Sequence, residues 1–218
     1  MAEETELIVL HYTKTGERSV VVHSLCRESG RMGLLFKNIG NGSMLSMFQP
    51  LSLIECVVSE SNLSTLCTAR KPVLVSPLQG IRGNLYKNSI SMFIGEVLFR
   101  VLKDGTDESG LFDWCRKNIL LLDALESDFS NFHIRFLLEL AVAMGFAPSL
   151  EDLAPFVGDD MDTMELFLTG TFEQTMVIPM AGSVRSRLAS ALLKYIEFHT
   201  ETSLTVNSLK VLHELLEQ

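Results

Sequence analysis

The sequence predicts an α+β chain in two parts: an N-terminal OB-fold β-barrel over residues 1–79, followed by an all-helical C-terminal domain over residues 80–218. Three observations predict it. Through residue 75, short aliphatic runs alternate with turn material that contains glycine. After "VSPLQGIRG" the apolar spacing lengthens to a helical period. The charge balance changes at the same place: residues 1–90 hold nine Lys or Arg against seven Asp or Glu, whereas residues 91–218 hold nine against twenty. A split of this kind suggests two units with different electrostatic tasks.

The strands come first. "ELIVLHYTK", "RSVVVHSLC", "RMGLLFK", "LSLIECVVSE" and "STLCTARKPVL" are rich in Val, Ile, Leu and Thr, and their separators "KTGE", "ESG" and "NIGNGS" supply residues that tolerate positive φ in tight connections. A sheet of five such short strands avoids open edges by curling on itself, which is the argument for a closed barrel of the OB type.

The helices follow. In "NSISMFIGEVLFRVLKDG", Ile90, Phe93, Ile94, Val97, Leu98 and Val101 share one face, and Asp104 with Gly105 supplies an ending. "ESGLFDWCRKNILLLDALESD" repeats the pattern with Leu111, Phe112, Cys115, Ile119, Leu122 and Leu125; its Trp114 reads as a packing anchor. "SDFSNFHIRFLLELAVAMGFAPS" is apolar nearly all round from Phe136 to Met144, which predicts a central helix, with Ser127 or Asp128 as N-cap and Gly145 past its end. "SVRSRLASALLKYIEFHTE" gives a helix behind Ser183 with Leu188, Ala191, Leu192, Tyr195 and Ile196 inward, and "NSLKVLHELLEQ" gives another.

Several function classes find no support in these residues. "MAEETELIVL" is acidic where a secretory signal needs cations, and no helical stretch reaches about 18 apolar residues, so a cytoplasmic protein with no membrane partner is expected. Cys26, Cys56, Cys67 and Cys115 form no C-x-x-C pair and read as small buried hydrophobes; no metal is expected. His11, His23, His133, His199 and His213 stand isolated, with no H-E-x-x-H and no nucleotide-binding loop. "GDDMDTMELF" brings Asp159, Asp160, Asp162 and Glu165 together, but it lacks the central Gly and distant Glu of a calcium loop and reads as a solvated acidic loop. No catalytic constellation and no cofactor are expected.

The cations of the first part carry the functional reading. Lys14, Arg18, Arg27, Arg31 and Lys37 gather at the turns, Arg70 and Lys71 follow, and Arg82 and Lys87 add more near its end. On a barrel of this type such a surface suits single-stranded nucleic acid, because cationic grooves follow phosphates while exposed rings or aliphatic surface accept unstacked bases. The competing reading is that these charges only solubilise turns and edge strands.

The segments "ELIVLHYTKTGERSVVVHSLCRESGRMGLLFKN", "FQPLSLIECVV", "SISMFIGEVLFRVLKDG", "LFDWCRKNILLLDALESDFSNFHIRFLLELAVAMGF" and "RSRLASALLKYIEFH" resemble, in order and spacing, the bacterial recombination-mediator family RecO. The resemblance implies a non-catalytic DNA repair and recombination protein. Such a protein binds single- and double-stranded DNA, anneals complementary strands, engages RecR, and helps load RecA on DNA coated by single-strand-binding protein. It also implies recognition of the acidic, apolar tail of single-strand-binding protein. In the second part Arg135, between Phe132 and Leu138, is the best-placed cation for that tail, with an ion pair to Glu139 as the alternative.

Two departures stand out. Many relatives carry a four-cysteine zinc site in the helical domain, whereas residues 116–218 here contain no cysteine. Relatives also tend to follow the third strand with a cationic run, where this chain has "FKNIGNGSML" and keeps only Lys37. Weaker intrinsic DNA binding is expected, with more recruitment by proteins. An adaptor that keeps the scaffold and binds little DNA is the alternative, and an RNA-binding OB protein is a more remote one.

Overall fold

The computed structural model describes residues 2–39, 44–59, 66–103 and 110–216. The expected turn at residues 40–43 and the helix ending at residues 104–105 lie outside them. Five strands, β1 (Ala2–Lys14), β2 (Ser19–Cys26), β3 (Gly30–Lys37), β4 (Leu53–Ser59) and β5 (Cys67–Leu74), close into a barrel in the order β1-β2-β3-β5-β4. All neighbours are antiparallel except β3 and β5, which run parallel through Leu34↔Cys67, Leu35↔Thr68 and Phe36↔Ala69. This is the OB-type barrel that the strand count and turn spacing predict.

Alternation along the strands sets the interior. Val20, Val22 and Cys26 of β2 face inward with Leu7, Val9, Leu34, Ile54, Cys56 and Ala69, and the Phe36 ring packs tilted against Phe48, centroids 4.9 Å apart, on a 3-10 turn at Leu45–Phe48. β1 is also buried on its other side at Ile8 and Leu10. There α2 (Leu85–Val101) crosses it at Gly95, where an added Cβ would sit 3.2 Å from the Leu10 carbonyl oxygen and 2.9 Å from Pro50 Cβ. Only a glycine admits that approach.

Packing divides the chain into two compact units. One holds Met1–Gln79 with Ile94–Leu120; the other holds Gly80–Phe93 with Leu121–Gln218. Thus the barrel unit includes the second half of α2 and most of α3 (Leu111–Ala124). The second unit also contains α1 (Gln79–Arg82) from Gly80 on, α4 (Phe132–Ala143), α5 (Leu150–Val157), α6 (Met161–Thr169), α7 (Phe172–Met176), α8 (Gly182–Thr200) and α9 (Ser208–Leu216). The inward faces read from periodicity are the buried ones: Ile90, Phe93, Ile94, Val97, Leu98 and Val101 are at most 2% exposed.

The helix ends differ in part from the sequence reading. α4 begins after Asn131, not at Ser127 or Asp128, and Asn131 turns its amide inward to the Thr175, Met176 and Ile178 carbonyls at 3.0, 3.3 and 2.9 Å. Its far end is as read. Gly145, at φ 87°, donates to the Val142 carbonyl and Phe146 donates to Ala141, the paired bonds of a Schellman ending. α8 starts one residue before Ser183, behind Ala181, with no side-chain cap. The acidic stretch at 158–165 is a 3-10 turn running into α6, not a loop, and Asp160 there pairs with Arg187 at 2.7 Å.

Candidate nucleic-acid interface

The structure separates the cations that the sequence places in one series. β1 and β2 meet at residues 15–18, so Lys14 and Arg18 stand exposed at the end of that hairpin, where they line a small cleft of about 30 Å³ with Glu17, Val20, Ile39 and Leu45. Lys37 pairs with Ser19 beside the same turn. The parallel register of β3 and β5 ends at Phe36↔Ala69, both in the core, so the next residues, Lys37 and Arg70, fall side by side on the outer surface. Lys14, Arg18, Lys37 and Arg70 are exposed, and none makes an ion pair among the described residues. Exposed cations without a carboxylate partner among the described residues therefore gather at the β1–β2 turn and the adjoining ends of β3 and β5.

The β2–β3 turn is different. Arg27 donates to Glu6 at 2.7 Å and to Asp113 at 2.5 Å, and its guanidinium lies 4.5 Å over the Phe112 ring of α3. Glu6 also accepts from Arg116 at 2.7 Å. Burial pushes the Glu6 carboxyl up, but the hydrogen bonds from Arg116 and Arg27 outweigh it and leave the pKa below its ordinary value. Two cations and two carboxylates neutralise one another here, fastening α3 to the barrel. Lys71, bulged at φ 54°, lines a groove of about 370 Å³ with Glu4, Glu6, Glu28 and Glu55, a setting that repels phosphate.

Arg31 holds an intermediate position, half-buried with its guanidinium 5.0 Å over Phe99 of α2. His11 and His23, read as isolated, are cross-strand partners in β1 and β2 with rings 6.2 Å apart, and each lies about 5 Å from Phe99, at 5.1 and 5.0 Å. Arg100 stands 6.0 Å from the same ring. The sequence signal for this cluster is the hairpin register, which pairs residues 11 and 23 once the turn at 15–18 is fixed.

Arg82 and Lys87 do not extend the barrel surface. Both belong to the helical unit, where Lys87 is 4% exposed and donates to the Asp123 carbonyl at 3.0 Å while Arg82 donates to Asn88 at 3.3 Å. Phe132 and Leu138 are buried at 1% and 4% exposure. Arg135 bonds Glu139 at 2.7 Å and the Phe167 and Gly170 carbonyls at 3.1 and 3.2 Å, so it closes the end of α6 as well as forming the ion pair one turn along α4. Phe132 and Leu138 thus belong to the core of the helical unit, and Arg135 is engaged within it.

The cysteines occupy core positions. Cys26, Cys56 and Cys115 are buried, and burial raises the Cys26 and Cys56 thiols to about 11 and about 12. The helical unit contains no cysteine, so it offers no thiolate for the four-cysteine zinc site that the resemblance implies.

A closed five-stranded barrel of the OB type, followed in the chain by a helical unit, sets the class of the protein. Residues 1–71 match the family described as recombination protein O N terminal, and residues 82–155 match recombination protein O C terminal. Among similar proteins, the DNA repair protein RecO of Phocaeicola vulgatus is 27% identical over 239 residues, covering 99% of both chains. The DNA repair protein RecO of Azobacteroides pseudotrichonymphae is 26% identical over 241 residues, covering both chains fully. This chain belongs to the RecO family of DNA repair proteins.

Proposed function

We propose that the chain is a cytoplasmic, non-catalytic recombination mediator that binds single-stranded DNA through Lys14, Arg18, Lys37 and Arg70 and promotes annealing of complementary strands. The observation that carries this reading is the clustering of those four exposed side chains, without carboxylate partners among the described residues, at one region of an OB barrel. Phosphates neutralised there hold a strand with its bases turned away from the charges, which lowers the repulsion a second strand meets. Arg31, Arg100, His11 and His23 around Phe99 offer a second row of nitrogen donors on the same unit.

Double-stranded DNA binds through the same phosphate contacts and so shares the site. With a net charge of -9 the chain repels DNA as a whole, so productive binding on coated DNA calls for partners: RecR, the tail of single-strand-binding protein, and through them RecA. Annealing of two labelled complementary oligonucleotides, followed by energy transfer, tests the proposal. The wild-type chain accelerates it, and the Lys14→Ala/Arg18→Ala/Lys37→Ala/Arg70→Ala variant, folded by circular dichroism, does not. Equal rates would remove these four residues from the function.

A further inference from the structure

Phe198 of α8 is 69% exposed, more than any other large apolar side chain among the described residues. It does not stand alone. Its ring lies 6.2 Å from Phe156 of α5 and 5.3 Å from His199, and His199 in turn stacks 5.2 Å from Phe146. Tyr195, 2% exposed, holds the group from beneath: its ring packs 4.4 Å from His199 and 5.9 Å from Phe156, and its hydroxyl donates to the Phe146 carbonyl at 2.9 Å. The result is a continuous aromatic surface within the helical unit, its rings fixed by packing. Exposed apolar patches mark binding surfaces, and rigid aromatic anchors carry much of the energy at interfaces.

The rim sets the charge of the partner. Asp152 stands one turn before Phe156 on α5, where the Ser149 hydroxyl and amide bond its Oδ2 at 2.6 and 2.9 Å and hold its pKa below the ordinary 3.8. It is therefore a fixed carboxylate, and its Oδ1 receives no donor among the described residues. Glu151 beside it and Glu201 at the end of α8 are exposed as well. α8 ends within a turn of Phe198, so the negative pole of that helix adds to the same field. Residues 136–184, which supply Phe146 and Phe156, contain eight carboxylates and no Lys or Arg, and Lys194 is the only Lys or Arg from residue 188 to residue 209. Exposed aromatic faces themselves attract cations.

The chain does not cover this surface with a segment of its own. The residues outside the described ones contain no Lys or Arg, and a second copy meeting the patch face to face would set two acidic rims against each other. We propose that the aromatic surface around Phe198 is a docking site for a cationic amphipathic segment of a partner protein. Aliphatic side chains of that segment pack on Phe156 and Phe198, and its Lys or Arg side chains lie over the Phe198 ring and bond Asp152 Oδ1. This site is separate from the cations of the barrel and selects a partner of the opposite charge to DNA.

Titrating the full chain into a short fluorescein-labelled helical peptide, with Leu along one face and Arg on its flanks, tests the site by anisotropy. Wild type should bind it saturably, and more weakly as salt rises. Phe198→Ser, at an exposed position, should keep the wild-type urea midpoint and weaken binding about tenfold or more. The same peptide with Glu in place of every Arg should bind wild type about tenfold more weakly or worse. Should Phe198→Ser fail to fold, Glu151→Lys/Glu201→Lys, at two exposed sites, should weaken the cationic peptide by a similar factor. No saturable binding, equal affinity in wild type and these variants, or an acidic peptide that binds as tightly as the cationic one overturns the proposal. A wild-type dimer in sedimentation that Phe198→Ser converts to monomer overturns it too, since the face then belongs to a second copy.

Discussion

Replacing Glu6 by Gln tests how the barrel holds α3. The side chain keeps its size and one oxygen acceptor, so the change isolates the charge. Glu6 is 12% exposed at its side chain and receives Arg27 and Arg116, themselves 36% and 33% exposed. A hydrogen bond to a charged group is worth about 1.5–3 kcal/mol when removed. Water screens both arginines, and Arg27 keeps Asp113, so the two bonds together should cost about 1.5–3 kcal/mol, most of it from Arg116. Trp114, the one tryptophan of the chain, lies on α3 in the same compact unit and reports the loss by fluorescence in urea. At a slope of about 2 kcal/mol per molar urea, the midpoint should fall by about 1 M. The Glu6 pKa is depressed from 4.5, so its contribution is complete above that value and disappears as pH falls through the folded value. The gap between wild type and variant should therefore close below about pH 4.5. Midpoints within about 0.2 M of each other at pH 7, or a gap unchanged in acid, would refute the reasoning.

Asn131→Ala should destabilise the helical unit by about 3 kcal/mol or more, read by circular dichroism in urea, because three carbonyls and the Arg185 guanidinium lose a buried partner at once. Thiol reagents at pH 8 should label Cys67 alone at an appreciable rate in the folded chain, since Cys26, Cys56 and Cys115 are buried; all four react after unfolding. Elemental analysis should find no stoichiometric zinc, and a chelator should leave the melting temperature unchanged, because residues 116–218 contain no thiol ligand.

The barrel is legible in the sequence because its strands alternate and its turns carry glycine at 16 and 30, both at positive φ in the structure. The long helices are legible because their apolar faces are wide. The shorter helices α5 to α7 escape the periodicity argument, being five to nine residues long. The starts of α5 and α7 are nevertheless written in the chain as capping boxes, Ser149 with Asp152 and Thr171 with Gln174. Local capping does not locate Asn131 or Ala181, because buried tertiary bonds fix where α4 and α8 begin. The site is half legible. Cations can be counted in a sequence, but their carboxylate partners at Glu6 and Asp113 come from other strands and helices, and only the fold shows that Arg27 is neutralised while Lys14, Arg18, Lys37 and Arg70 remain open to a polyanion.

Salt dependence of single-stranded DNA binding measures that distinction most directly. Each phosphate neutralised adds about -0.7 to the slope of log K against log salt, so four contacts predict a wild-type slope of roughly -2 to -3. The account predicts that replacing Lys14, Arg18, Lys37 and Arg70 by Ala removes most of the slope and leaves the small part owed to the Arg31 and Arg100 row, while Arg27→Ala lowers stability and leaves the slope as it is. A quadruple variant with the wild-type slope, or an Arg27→Ala chain that stays folded and loses as much slope as the four together, would contradict it.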